Sequence, residues 1–481
     1  TGAGLNLHLA PNTRTRDLMA ETRDLRMASC CHPLSSTQSS VIDSAILSLI
    51  QPSIQPSTQS SIQPSTLTFF LYPPSSLVHL VATPMRFLSL VLGFLLLTGC
   101  RQQKPMPDNE NAVTAFALQH FVDSDVITGA VTAVVGPDGL IAVEAFGLAD
   151  VAQKRAMGKD SMFWIASMTK PMTAMGVMML VEEGKVKLDD PLEKYVPAFK
   201  GIQLKTAQGL VAPKRLVTVK DLLTHTSGID TTTATPAGKP VDTLPLAAMA
   251  DAYATRPLTD EPGTKWTYNN NAINLLGRII EVASGKPYAD FMQERLFDPL
   301  GMENTTFWPN PDQLDVLAKP YSSDKTTGAL LEAKNSRFSD PLHDLKRTAI
   351  PAGGLYSCAR DLGQLYQMLL NQGELDGRRY LKAATLKEMT SNQLGDLPKV
   401  SFAPGMRMGL GFHIVGEPQE VTESLSVGTF GHGGAFGTQA WIDPVKKRAY
   451  VLLIQRTDLK NSDQSDIRRE FQKAAKEAYA R

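Results

Sequence analysis

The stretch FWIASMTKPMTAMGVMMLVEEGKV, Phe163 to Val186, constrains the fold more than any other part of the sequence. An apolar run of this length reads as a buried helix, with Gly184 as its C-terminal cap. Yet Ser167 and Lys170 stand at its start, and lysine is rarely buried without a partner. Ser-x-x-Lys places both side chains about one turn apart on one helix face. The serine then lies where backbone N–H groups favour negative charge. A desolvated lysine beside it has a lowered pKa and can accept the serine proton. The alternative is a capping serine and a lysine whose stem follows the surface with its amine in water. Spacing alone does not separate the two. A second copy, Ser322-Ser323-Asp324-Lys325, has no apolar helix behind it and reads as a loop. The methionines between Met168 and Met179 read as core packing.

The chain has 481 residues, 43% of them hydrophobic, enough for one large domain or two smaller ones. Its formal net charge is zero, without a basic block or acidic tail, so nothing points to nucleic acid. Cys30, Cys31, Cys100 and Cys358 form no CxxC pair and no zinc-spaced cluster, and there is no HExxH. Residues 1–84 contain the tract SLIQPSIQPSTQSSIQPST, too poor in apolar surface to offset its ordering entropy. Next comes MRFLSLVLGFLLLTGC, Met85 to Cys100, with one positive charge, an apolar run too short to span a membrane, and a small-residue end. That layout resembles a bacterial lipoprotein signal, which implies lipid attachment at Cys100. Residues 101–109 read as a tether. The expectation is a natural start at Met85 with upstream residues that are not native; the alternative is a genuine disordered extension.

From about Asn109 the pattern is globular. NAVTAFALQHFV has helical spacing, and AVTAVVGPDGLIAVEAFG reads as two strands joined at Pro-Asp-Gly. TVKDLLTHTSG has Thr218 and Asp221 at capping-box spacing, then a glycine stop at Gly228. Residues 229–260 read as loop with one Ala-rich helix. NAINLLGRIIEVASG is an amphipathic helix with Gly285 beyond it. GTFGHGGAFGTQAWIDPVKKRAYVLLIQR reads as a Gly-rich strand, a turn and an apolar strand, and SDIRREFQKAAKEAYA closes as a helix. Strands at both ends and helices between them predict an α+β fold. Its antiparallel sheet would come from both termini, flanked by helices, with a mostly helical insert.

Two further elements carry possible chemistry. In WTYNNNAINLL, Tyr268 can relay a proton and Asn270 can hold a substrate carbonyl. The alternative is a half-buried tyrosine and a capping asparagine. In GTFGHGGAFGT, the glycines around His432 mark a place of close backbone approach, where N–H groups can stabilise an oxyanion. The alternative is a bulged edge strand with a surface histidine. His225 ends a helix, where a cation is mildly favoured. His413, His343 and His120 show no obvious partner.

Together, Ser167-Met168-Thr169-Lys170, Tyr268-Asn269-Asn270 and His432-Gly433-Gly434 resemble the three motifs of the serine β-lactamase and penicillin-binding-protein superfamily. They are most similar to its class C β-lactamase-like branch, which includes DD-carboxypeptidases, D-aminopeptidases and family VIII esterases. DLLTHTSG and PAGGLYSCARDLGQL also look like that branch, and the likeness covers residues 110 to 480. The resemblance implies a β-lactamase-like α/β sandwich spanning 110–481 and a serine hydrolase that works through an acyl-enzyme without metal or organic cofactor. It implies Ser167 as nucleophile, Lys170 and Tyr268 as proton carriers, and His432 in the catalytic group. Asn270, Gly434 and Ala435 would bind substrate, with the N–H groups of Ser167 and Ala435 as the oxyanion hole. Lactam-hydrolysing members usually carry lysine where this chain has His432, and Gly433 replaces a threonine. An ester or D-amino-acid-containing peptide is therefore the expected substrate. A β-lactamase or DD-carboxypeptidase, and a non-catalytic envelope binding lipoprotein of the same fold, are the alternatives. The expected partners are a small-molecule or peptide substrate and, through a lipid anchor, the bacterial cell envelope on its periplasmic or extracellular side.

Overall fold

The computed structural model describes Met106 and residues 112–395, 397, 403–459 and 462–479. The expected extension, signal segment, Cys100 and tether lie outside the described residues, Met106 apart.

The main sheet has eight strands: β1 (Gly129–Gly136), β2 (Gly139–Asp150), β3 (Arg155–Ala156), β4 (Met406–Met408), β5 (His413–Val415), β6 (Phe430–Gly433), β7 (Gln439–Asp443) and β8 (Arg448–Leu453). Their order is β4-β5-β6-β7-β8-β1-β2-β3, antiparallel throughout. The C-terminal meander and the N-terminal hairpin meet where β8 pairs with β1, Val131 opposite Leu453. The expected sheet from both chain ends is therefore present.

Side chains alternate across this sheet, as the two-residue period requires. The helices needed here are α1 (Val113–Asp123), α2 (Thr169–Glu182), α3 (Val219–Leu223), α4 (Leu246–Ala254), α5 (Asn270–Ser284), α6 (Ala359–Leu370) and α7 (Asp466–Ala478). Ala130, Val134, Trp441 and Leu452 pack with Leu118 and Phe121 of α1 and with Ile467 and Phe471 of α7. Val131, Ala133, Val135, Val451 and Leu453 belong to the larger core that contains α2, α5 and α6. Both faces are covered, so the sheet is the middle layer of a sandwich.

Helix α2 is buried from Thr169 to Leu180, Lys170 included. Met168, Met172, Met175, Met178 and Met179 are all at or below 4% exposure. Each buried methionine contributes roughly 1.5–3 kcal/mol. Together they outweigh the several kcal/mol that desolvating one amine costs. Apolar burial thus wins, and the lysine goes in with the helix.

The capping box at α3 is present, with Thr218 and Asp221 satisfying each other's backbone. The glycine stop is not where the sequence placed it. The helix ends at Leu223, and His225 itself takes a left-handed φ of 59°, before Gly228 is reached. The Ala-rich helix is α4, and α5 ends on left-handed Gly285 as expected. The second Ser-x-x-Lys is no helix. Ser322 and Ser323 lie in a short strand, and Asp324 accepts hydrogen bonds from the Thr326 and Thr327 N–H groups in the turn that follows. The Gly-rich run is also different: it is two strands, β6 and β7, folded back through residues 434–438. A glycine-dense segment read as one strand can always hide its own turn.

Between α4 and α6 the chain forms a long excursion, residues 335–347, that is pinned rather than paired. Asp242 accepts hydrogen bonds from the Ser339 N–H and hydroxyl and from Arg347 Nε, the last at 2.7 Å. Both side chains of this ion pair are buried, at 4% and 0% exposure. Removing one partner of such a pair leaves an uncompensated charge. Asp242→Ala is therefore expected to cost about 3–5 kcal/mol of stability. Urea unfolding checks this, and a loss below about 1 kcal/mol, as for a surface pair, would contradict it.

Candidate active site

Ser167 sits in a 3-10 turn, Ala166–Met168, that leads straight into α2. Ala166 holds a left-handed φ of 47°, a conformation costly for a residue with a Cβ. The turn is held in place by its neighbours. Trp164 Nε1 donates to the Gly353 carbonyl at 2.7 Å, and Thr438 Oγ1 donates to the Ile165 carbonyl at 3.2 Å.

Two groups converge on Ser167 Oγ: Lys170 Nζ at 2.9 Å and the Tyr268 hydroxyl at 2.7 Å, each donating to it. Lys170 Nζ also donates to the Ala352 carbonyl and lies 4.8 Å from the centre of the Tyr268 ring. The amine is not at the surface, so the reading with Lys170 in water is excluded. Desolvation, and next the charge of Arg337, hold its pKa well below the ordinary lysine value. Burial pushes the Tyr268 phenol the other way, above its ordinary value. A pair pushed apart in this way divides the proton work. In its neutral form, which burial favours, the amine can take the Ser167 proton, and the phenol stays protonated and able to give one.

The Ala352 carbonyl is positioned by α5. Asn274 Oδ1 accepts from the Ala352 N–H at 3.1 Å, and its amide donates to the Tyr253 hydroxyl at 3.0 Å. Gly277 lets this loop lie against the helix, because a Cβ there would meet Pro351 at 2.2 Å. Asn269, not Asn270, caps α5: its side chain accepts from the Ala272 N–H. Asn270 is left exposed in the first turn, lining a cavity together with Ser167 and Ala435.

Ala435 reaches the cavity because the β6–β7 turn is pressed onto the Ser167 turn. At Gly434 a Cβ would stand 2.7 Å from the Ile165 carbonyl and 2.1 Å from Thr438 Oγ1, so only glycine fits. Gly434 gives its N–H to the Thr438 carbonyl at 2.7 Å, within the turn. Ser167 and Ala435 both line the cavity, the two residues expected to supply an oxyanion hole.

His432 is placed differently from the other site residues. Its ring lies 6.2 Å from that of Tyr268, and it is not among the groups that bond Ser167 Oγ. Its Nδ1–H donates to the Gly433 carbonyl at 2.6 Å, and burial lowers its pKa well below the ordinary value. The surface-histidine reading is thereby excluded, since the ring is 4% exposed. His413 stacks on His432 at 4.6 Å, and His225 lies 4.9 Å from the Tyr268 ring. Burial holds both histidines neutral, His413 with a pKa of about 3. His225 is thus no helix-end cation. Its Nδ1 accepts the Asn269 N–H at 3.1 Å, which fixes the proton on Nε2. Sequence reasoning missed these two rings, because their sites are assembled from distant segments. The DLLTHTSG and PAGGLYSCARDLGQL stretches were the available signal: one supplies His225 and the other Ala352.

A family model described as Beta-lactamase matches residues 116–475. The chain belongs to the β-lactamase family. Protein Rv1367c of Mycobacterium tuberculosis is 31% identical over 359 residues, covering 70% of this chain and 88% of its own. Esterase EstB of Burkholderia gladioli is 28% identical over 357 residues, covering 68% and 86%. The D-alanyl-D-alanine-carboxypeptidase/endopeptidase AmpH of Escherichia coli is 31% identical over 308 residues, covering 62% and 72%. Among solved structures, EstCE1, a hydrolase with promiscuous acyltransferase activity, matches with a TM-score of 0.63 at 24% identity, over 75% of this chain and 97% of its own. That match bears on the fold. This β-lactamase-family chain is a serine hydrolase, of the β-lactamase-like α+β fold.

Two outcomes follow from the geometry. Lys170 has a folded pKa below its unfolded value of 10.5. Between those two values the unfolded chain holds a proton that the folded chain has shed, so stability rises with pH across that window. Lys170→Met is expected to lose about 10²–10⁴-fold in kcat. It should also resist urea better than wild type at pH 7, with the gap narrowing by pH 10; an equal gap at both pH values would contradict this. Gly434→Val is expected to lift the turn from Ser167 and cost about 10²–10³-fold in kcat, read beside the thermal midpoint to confirm that the variant is folded.

Proposed function

We propose that Ser167 is acylated by an ester or by a D-amino-acid-containing peptide, and that water then releases the acid. The observation that carries this reading is the meeting of a desolvated Lys170, a protonated Tyr268 and the Ser167 hydroxyl within hydrogen-bond distance. Ser167 Oγ bonds to the substrate carbonyl carbon while its proton passes to Lys170 Nζ. The resulting oxyanion sits against the N–H groups of Ser167 and Ala435. As the intermediate collapses, the bond to the leaving alkoxide or amine breaks and Tyr268 protonates it; Lys170 returns a proton to Tyr268. Water then attacks the acyl carbon while Lys170 takes its proton; as the acyl–Oγ bond breaks, Lys170 returns that proton to Ser167 Oγ and the acid leaves. Splitting the hydrolysis in two lowers each barrier. Asn270, which lines the cavity, would hold a substrate amide or carbonyl.

His432 supports an ester or peptide over a β-lactam. Lactam-hydrolysing relatives usually have a lysine there, whereas this ring is neutral, buried and bonded to its own neighbour's carbonyl. The esterase and the carboxypeptidase among the relatives are consistent with this choice.

The purified chain and its Ser167→Ala variant, compared on a short-chain nitrophenyl ester and a chromogenic cephalosporin, test the reading. Ester turnover is expected, lost about 10⁴–10⁶-fold in the variant, with little cephalosporin turnover. Fast cephalosporin hydrolysis would instead make this chain a β-lactamase.

A further inference from the structure

The cavity beside Ser167 says more about the substrate, on the footing that the acyl-enzyme reading holds. Ser167, Ala435 and Asn270 line it, whereas Lys170 and Tyr268 do not. The leaving group takes its proton from Tyr268 and so departs on the side away from the cavity. The acyl half of the substrate is the part that extends into it.

The cavity wall is apolar at Trp164, Val241, Met249, Phe338 and Ile350. Neutral polar tips come from threonines and asparagines. Among the lining residues Arg337 is the one with a full charge, and no Asp or Glu lines the cavity. An exposed arginine on an ordinary surface means little. Arg337 differs in its place and its anchoring. Its carbonyl accepts the Val241 N–H at 2.9 Å, and Asp242 clamps Ser339 just beyond it. Phe338 stands edge-on to Trp164 at 5.5 Å. The backbone that carries the guanidinium is therefore fixed at the cavity rim. Arg347, on the same excursion, is committed to Asp242, whereas no hydrogen bond or ion pair of the Arg337 guanidinium is found among the described residues. It shares the lining of one cavity with Ser167, and its charge is felt at Lys170 and, more weakly, at Tyr268. A guanidinium is a planar fork that matches a carboxylate in two parallel hydrogen bonds.

We infer that the cavity takes an acyl group with an apolar stem and an anionic end, a carboxylate bound by Arg337, as in half-esters or half-amides of dicarboxylic acids. The stem lies along Val241, Met249 and Phe338, and the carboxylate replaces the water on the guanidinium. Arg337 sets specificity and takes no part in moving protons.

The test uses the purified chain with the nitrophenyl half-ester of glutaric acid and the uncharged nitrophenyl valerate. Wild type is expected to favour the half-ester in kcat/KM, chiefly through a lower KM, with the preference weakening as salt rises. Arg337→Met should lower the half-ester to valerate ratio about tenfold or more, and Arg337→Lys should restore part of it. A ratio unchanged in Arg337→Met overturns the inference while leaving the hydrolase reading intact, because valerate turnover lost in Ser167→Ala reports that reading separately. A second readout needs no turnover: protection of Ser167 from a neutral fluorophosphonate label. Glutaric acid monoanilide should protect wild type better than valeranilide does, and lose that advantage in Arg337→Met. Equal protection by the two anilides in wild type overturns the inference whether or not either ester is cleaved.

Discussion

The burial of one amine organises this molecule. Lys170 enters the core on a helix that apolar packing would bury in any case, and it arrives with two oxygen partners, Ser167 Oγ and the Ala352 carbonyl. Each partner has to be brought to it. Ala352 is set by Asn274 on α5, and Ser167 by a turn braced from the 353 loop and from the β6–β7 hairpin. The helical insert and the sheet share one apolar core, and their few polar contacts meet around this nitrogen. Each partner lost would leave the desolvated amine less compensated.

The same desolvation divides the chemistry. Taking water away penalises whichever form is charged, so it lowers Lys170 and raises Tyr268. Three neutral histidines extend this dry zone behind Tyr268: His225 near its ring, and His413 stacked on His432. A protonated imidazole in that position would face Lys170 across low dielectric, and burial keeps all three rings from charging. On the open side the balance reverses, with Arg337 at the rim of a cavity whose walls are otherwise uncharged. One side of the serine is dry; the other is built to receive substrate and, at one point, negative charge.

Much of the fold was legible in short segments. The Pro-Asp-Gly hairpin, the capping box at Thr218 and the left-handed Gly285 end of α5 rest on interactions within a few residues, which local sequence specifies. The reading slipped in two places. The Gly-rich run around His432 was read as one strand, although it turns back on itself at residues 434–438. The stop at Gly228 was taken instead at His225, where Asn269 and the Tyr268 ring hold a left-handed histidine. In the first case the glycines conceal a local turn, and in the second contacts from distant segments override the local preference.

The sequence alone determined the parts of the site that depend on spacing. Ser167 and Lys170 are one turn apart because three residues on a helix make them so, and Tyr268 and Asn270 stand at the mouth of α5 because a cap precedes a helix. It also determined that α2 is buried, through its methionines. Only the tertiary structure decided what those residues meet. That Lys170 faces Ala352 rather than water, and that His432 lies behind Tyr268, both depend on residues far apart in the chain. Spacing is a property of the local backbone. A dielectric environment and a cavity wall exist only when separate segments have displaced water from one another.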